Sequence, residues 1–338
     1  MTTFTRMKNL TEKRKFEFPD ELFDEAEFNR LVSFSKSLGE SSTLGGSTLG
    51  DPLSVETLPR KFGKFNLMRL LGHGKTGRTY LAHEDGTTRE VALKTIHREL
   101  VHRTGIAEFE KRLEQLRLES TSARVIDLDS VLPAVQIGEI DGDYFIATQY
   151  VKGKSLARLI NSNTLSNRQA AKTIRRIADS IQSLHRIGIY HRDIQPENIL
   201  LDESNRPQIL ELGAWPLKAN RTNQNANTCS PFQAPELVAD PDSSPATAEI
   251  WSIGATLYNC LVGEPPQDVV QPPRKLNPRV AKDLETICLK CLQKKPAQRY
   301  SSVAELAEDL ELFLEYQPIK AVPSGWFARL VGKFSQRG

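Results

Sequence analysis

Two stretches of this chain combine residue types and spacings that suit chemistry on phosphate. Gly72-His73-Gly74-Lys75-Thr76-Gly77 is a G-x-G-x-x-G turn directly after a β-rich run. Glycines in such a turn let backbone N–H groups approach phosphate oxygens with no side chain between them. The same turn also serves merely to join strands. Two rival phosphate loops fail on this sequence. Gly74-Lys75-Thr76 imitates the end of G-x-x-x-x-G-K-T, but position 69 is Arg where that pattern needs Gly. A dinucleotide fingerprint needs a helix after the turn, and here a strand-like run follows. One strand later stands Lys94, closing Val91-Ala92-Leu93-Lys94. A lysine on a buried strand could hold phosphates, whereas a lysine ending a strand is ordinarily solvated. The second stretch is Tyr190-His191-Arg192-Asp193-Ile194-Gln195-Pro196-Glu197-Asn198-Ile199-Leu200, and beyond it come Glu211-Leu212-Gly213, Ala234-Pro235-Glu236 and Arg299.

The elements that must position these residues change character along the chain. From Phe65 to about Tyr150 the signals are strand-like and broken by glycine turns, with one helix carrying Ile106, Phe109, Leu113 and Leu116 at 3- and 4-residue spacing. After Gly153 the chain reads as helical. Ser166 with Gln169 forms a capping box for a helix with Ile174, Ile177, Ala178, Ile181 and Leu184 on one stripe, ended by Gly188. Ser302 with Glu305 caps another, striped by Leu306, Leu310, Phe313 and Leu314. A β-rich half followed by a helical half implies an α+β protein of two lobes with a cleft between them.

The 338 residues suit such a pair of lobes plus extensions. A net charge of +3 gives no reason to expect a nucleic-acid partner. No apolar run approaches the ~18 residues of a membrane span, and the N-terminus lacks a signal core, so a cytoplasmic location is expected. Four cysteines are too few for a disulfide scaffold. Cys288 and Cys291 form a C-x-x-C, but no second pair or nearby His accompanies it, and helical spacing puts both thiols on one apolar face. Buried structural cysteines are therefore expected. Pro19 to Leu38 is amphipathic and could be a docking helix or an idle extension, and Gly39 to Thr57 reads as a Ser/Thr/Gly-rich linker.

Taken in order and spacing, these motifs resemble the eukaryotic-like (Hanks-type) serine/threonine protein kinases over roughly Phe65 to Leu314. Arg299-Tyr300 with the helix after it and Gln317-Pro318-Ile319-Lys320-Ala321-Val322-Pro323 look most like bacterial members. The resemblance implies a bilobal protein-kinase fold with an N-lobe at 65–150 and a C-lobe at 152–314, preceded by a flexible extension at 1–60 and followed by a basic amphipathic tail at 317–338. It implies ATP, with Mg²⁺, as ligand and a protein as substrate or partner. The nucleotide would meet Gly72, Gly74, Gly77, Ala92, Lys94, Gln149, Val151 and Leu200. Thr148 would be the gatekeeper beside the hinge of Gln149 to Val151. Lys94 would hold α- and β-phosphates and pair with Glu119, with Glu114 as second choice. Asp193 would be the catalytic base, Asn198 and Glu211 the metal ligands, and Glu236–Arg299 a buried structural ion pair.

Five positions depart from the family pattern. Glu211 stands for the metal-binding aspartate and carries its carboxylate about 1.5 Å further out. Gln195 stands for the lysine whose charge faces the transferring phosphate. Glu249 replaces the helix aspartate that anchors the catalytic-loop backbone, Cys229 replaces a substrate-side threonine, and Thr79 replaces the valine over adenine. Together they point to relaxed catalytic constraint, and two readings stay open. One is an active serine/threonine kinase using Glu211 as a stretched metal ligand. The other is a pseudokinase, a nucleotide-sensitive scaffold. Thr222, Thr228 and Ser230 could take phosphate near Arg192, or belong to a solvated loop. Trp326 to Phe334, with Arg329, Lys333 and Arg337 opposite, could lie on an anionic membrane or a partner, or pack back on the helical lobe.

Overall fold

The computed structural model describes residues 57–74, 76–125, 130–162, 165–210, 212, 230–239 and 245–322. The amphipathic stretch at 19–38, the linker at 39–57 save its last residue, Lys75, Glu211, Thr222, Thr228, Cys229 and residues 323–338 lie outside them.

Six strands form one antiparallel sheet: β1 (Arg60–Phe62), β2 (Phe65–His73), β3 (Gly77–Glu84), β4 (Glu90–Ile96), β5 (Ala134–Ile140) and β6 (Asp143–Gln149), in the order β1-β2-β3-β4-β6-β5. Strand alternation sends Phe65, Leu67, Tyr80, Ala82, Val91, Leu93, Phe145 and Ala147 to one buried face. There the Phe145 ring meets Phe62 and Phe65 edge-on at 5.8 and 5.5 Å. β1 lies ahead of the expected start of the sheet. Three residues are too few to display alternation, and only pairing with β2 and burial of Phe62 reveal them as a strand.

Two helices, rather than the single one expected, interrupt the sheet: α1 (Arg98–Thr104) and α2 (Ile106–Val125). α1 is too short to show a period and buries just Leu100 and Val101. Gly105 separates the two helices with φ of +84°, a conformation side chains oppose. α2 lays Phe109, Leu113 and Leu116 against Ile96, Ala134 and Ile137 on the second face of the sheet, at one end.

The helical lobe begins with β7 (Gly153–Ser155) and α3 (Leu156–Asn161) and centres on α4 (Asn167–Arg186). The Ser166–Gln169 capping box forms, Gly188 takes φ of +78° just past the end, and all five stripe residues of α4 are fully buried. β7 pairs with β8 (Ile199–Asp202), and β8 with β9 (Pro207–Ile209). Then follow α5 (Pro235–Ala239), α6 (Pro245–Val262), α7 (Pro273–Leu276), α8 (Lys282–Cys291) and α9 (Val303–Leu314).

α4 packs against α6 and α9, and α8 against α6. At that last contact a Cβ on Gly254 would stand 2.3 Å from the Cβ of Cys291, so the two helices approach as closely as glycine allows. Cys288 and Cys291 are both fully buried there, burial pushes both thiols up, and no metal-holding cluster exists among the described residues. They are packing residues.

The start of the tail folds back on α9. The buried carboxylate of Asp309 accepts from the Lys320 and Ala321 N–H groups at 2.6 and 2.9 Å and from the Tyr300 hydroxyl at 2.8 Å. The basic amphipathic part of that tail, and any membrane contact through it, lies outside the described residues.

Candidate nucleotide and phosphoryl-transfer site

The sheet presents the residues expected to meet nucleotide on the face opposite the aromatic core. In register, Thr79 stands opposite both Gly72 and Lys94, while Ala92 stands opposite Leu81 and Thr148. Partners in register share a face, so Gly72, Thr79, Ala92, Lys94 and Thr148 line one surface, beside the part of the sheet that α2 covers. Gly77 is fixed by geometry as much as by chemistry. A Cβ there would lie 1.9 Å from the Thr95 carbonyl oxygen, whereas Gly72 and Gly74 have open space around them. Beyond β6, Gln149 is exposed, Val151 is half-buried and the Tyr150 N–H reaches the Glu90 carbonyl at 3.3 Å. Leu200 sits half-buried between buried Ile199 and Leu201, so its side chain faces away from the helical core.

The segment from Tyr190 to Leu200 is held by partners far away in sequence. The Glu249 carboxylate on α6 is buried; one oxygen accepts the Arg192 N–H at 2.6 Å and the other meets His185 Nε2 at 2.6 Å. Arg192 has φ of +67°, a left-handed backbone that costs a non-glycine residue roughly 1 kcal/mol. The buried Glu249 bond offsets that strain. The longer glutamate thus still anchors the loop, because His185 takes up its second oxygen; of the five departures, this one is compensated. His191 is fully buried and donates from Nε2 to the Leu210 carbonyl at 2.7 Å. Asp193 receives amide donors on both carboxylate oxygens, Gln195 Nε2 at 3.0 Å and Asn198 Nδ2 at 2.6 Å. Asn198 Nδ2 also binds the Asp193 carbonyl at 3.0 Å.

The approach to Glu211 is pinned as well. Val131 bridges to Ile209, the Ile209 N–H donates to the Ser130 carbonyl at 2.7 Å, and the Leu210 N–H donates to the Asn198 carbonyl at 2.8 Å. The two contacts of Ile209 tie the sheet lobe to the helical lobe, and the bond of Leu210 ties the strand end to Asn198, just before Glu211, itself outside the described residues.

Of the two glutamates weighed as partners of Lys94, Glu119 is buried on α2 while Glu114 is exposed beside Arg117. Glu119 accepts from Gln115 Nε2 at 2.8 Å and has Arg192 Nη1 at 3.9 Å. Its Oε2 is buried with no hydrogen-bond partner, and burial raises its pKa above the ordinary glutamate range. No Lys94–Glu119 pair occurs among the described residues in this conformation. The Glu236–Arg299 pair forms as expected, doubly, at 2.5 and 2.8 Å, with Arg299 also donating to the Thr247 and Gln293 carbonyls.

Residues 65–312 match the family model described as protein kinase domain. The chain belongs to that family. Among its relatives are the serine/threonine-protein kinase PknD of Mycobacterium tuberculosis, 29% identical over 274 residues, and PrkC of Bacillus subtilis, 29% identical over 271. The alignments cover 75% and 74% of this chain and 40% of each relative, so the chain spans about two-fifths of the length of the curated relatives it matches. The crystal structure of the M. tuberculosis PknI kinase domain superposes with a TM-score of 0.63 at 22% identity, covering 77% of this chain and 99% of that one. The likeness establishes the protein-kinase fold: an antiparallel sheet lobe and a helical lobe. No helix among the described residues is long and apolar enough to cross a membrane.

The loop-anchoring position of Glu249 is legible in its motif, but its second partner, His185, and the pairing of the two escape motif reading. They lie 64 residues apart, and nothing local in either segment announces the other.

Proposed function

We propose that this kinase domain binds ATP in the cleft between its lobes and transfers the γ-phosphoryl slowly, acting chiefly as a nucleotide-sensitive pseudokinase scaffold for a partner protein. The observation that carries this reading is the environment of Asp193. Both of its carboxylate oxygens are bound by neutral amides, from Gln195 and Asn198, where the family pattern puts a lysine at position 195. Glutamine orients the base but adds no positive charge to offset the charge that develops on the phosphoryl group. The surface formed by Gly72, Ala92, Lys94 and Thr148 supports nucleotide binding, with the hinge of Gln149 and Val151 beside it and Leu200 across the cleft.

Asn198 uses Nδ2 on Asp193 and keeps Oδ1 as an acceptor, the hard oxygen donor that Mg²⁺ favours, and Glu211 would add a carboxylate. Held there, the ion would offset negative charge on the phosphates. Glutamate at 211 strains that ligand set, because a ~1 Å misplacement of a catalytic group can lower rate by about 10²-fold.

The second reading, an active serine/threonine kinase acting on proteins, is favoured by the intact anchoring of the catalytic loop through Glu249. Calorimetric titration with ATP, with and without Mg²⁺, together with radiolabel transfer, separates the two. Binding with little transfer is expected, and transfer should rise about tenfold or more in the Glu211→Asp, Gln195→Lys double variant. Robust wild-type transfer that Asp193→Asn abolishes would establish the active kinase instead.

A further inference from the structure

The glycine loop is held by a residue outside the motif. His97 follows β4 directly and caps the N-terminus of α1, yet its side chain makes no capping bond there. Instead its Nε2 lies 3.1 Å from the carbonyl oxygen of Gly74, the second loop glycine. A carbonyl only accepts, so Nε2 carries the proton and donates. The His97 backbone N–H donates to the Thr76 carbonyl at 3.0 Å, and the Gly74 N–H closes the turn onto Gly77 at 2.9 Å. Gly74 otherwise has open space around its Cα. Main chain and side chain of one residue therefore grip the loop at two points.

The corner that carries His97 is itself braced. Arg98 Nε donates to Asp143 Oδ1 at 2.6 Å and its Nη2 to the Asp141 carbonyl at 3.2 Å, tying the start of α1 to the β5–β6 turn. The clamp thus has a fixed base three residues after Lys94.

We infer that His97 is a positioning residue for the phosphate-binding loop, holding the Gly74 carbonyl so that the loop is set before nucleotide arrives. Holding the Gly74 and Thr76 carbonyls restricts the conformations open to the loop backbone, and ordering it in advance removes that entropy from binding. The inference rests on the nucleotide reading above, and its test separates the two.

Amide hydrogen exchange at residues 72–77 is measured on the full chain without nucleotide for wild type, His97→Ala and His97→Gln. Exchange at Gly74, whose N–H closes the turn onto Gly77, should quicken about fivefold in His97→Ala, because the turn opens more readily once one hydrogen bond holding it is lost. His97→Gln, whose amide Nε2 reaches about as far, should restore it. Equal exchange in all three overturns the clamp. ATP titration of the same proteins should show about fivefold weaker binding for His97→Ala, recovered by His97→Gln. Equal affinities overturn the positioning role. Absence of ATP binding by the wild type overturns the nucleotide site and the positioning role with it, while exchange still decides the clamp. An unchanged thermal midpoint in His97→Ala distinguishes a local effect from misfolding.

Discussion

On the helical side of the cleft His191, the Arg192 N–H, Asp193 and Asn198 all have protein partners, whereas on the sheet side Glu119 keeps one carboxylate oxygen buried without any. The helical side is fixed by bonds that reach 57 and 64 residues along the chain, to Glu249 and from it to His185. Such a network tolerates a longer acid at position 249 because each oxygen still finds a donor. The sheet side carries a cost, roughly 1–3 kcal/mol for a buried unpaired polar group. A substitution in the first region therefore removes stability, and one in the second recovers it.

The largest effect is expected at the foot of the helical side. Arg299 is buried and bound to Glu236 and to carbonyls on two further segments, so Arg299→Ala leaves a carboxylate and carbonyls without donors. A loss of about 3–5 kcal/mol in urea unfolding is expected. A loss near zero would mean that the helical lobe does not depend on its buried bonds, and the comparison would break.

A smaller effect tests the loop anchor itself. Glu249→Asp shortens the reach by about 1.5 Å, so one carboxylate can no longer span both the Arg192 N–H and His185. About 1–3 kcal/mol should be lost, with faster amide exchange at Arg192. Unchanged exchange there would show that His185 is dispensable to the anchor.

The smallest effect has the opposite sign. Burial raises the Glu119 pKa, so the folded chain keeps a proton there to higher pH than the unfolded chain does. The cost of this carboxylate is absent below the ordinary glutamate pKa and grows as pH rises through the raised folded value. Glu119→Gln should therefore be the more stable protein at pH 7, by about 1 kcal/mol, and the difference should close as pH falls towards 4. Chemical unfolding across that range checks it. A variant less stable than wild type at pH 7 would mean that the Arg192 contact outweighs the burial.

Much of this was legible in the amino-acid sequence. The Ser166–Gln169 box, the stripe from Ile174 to Leu184, the strand pattern of β2, β3 and β4 and the burial of Cys288 and Cys291 all follow from local rules of period and capping, which act over a few residues. The order of the glycine turn, Lys94, Asp193 and Arg299 identified the family for the same reason: each motif is contiguous. What tertiary structure decided were partnerships: Glu249 with His185 and the Arg192 N–H, Glu119 with Gln115 and Arg192, His97 with Gly74, and β1 with β2. Each depends on where two segments distant in sequence come to rest, to within the few tenths of an ångström that separate a hydrogen bond from a buried, unsatisfied oxygen. No local periodicity encodes that distance.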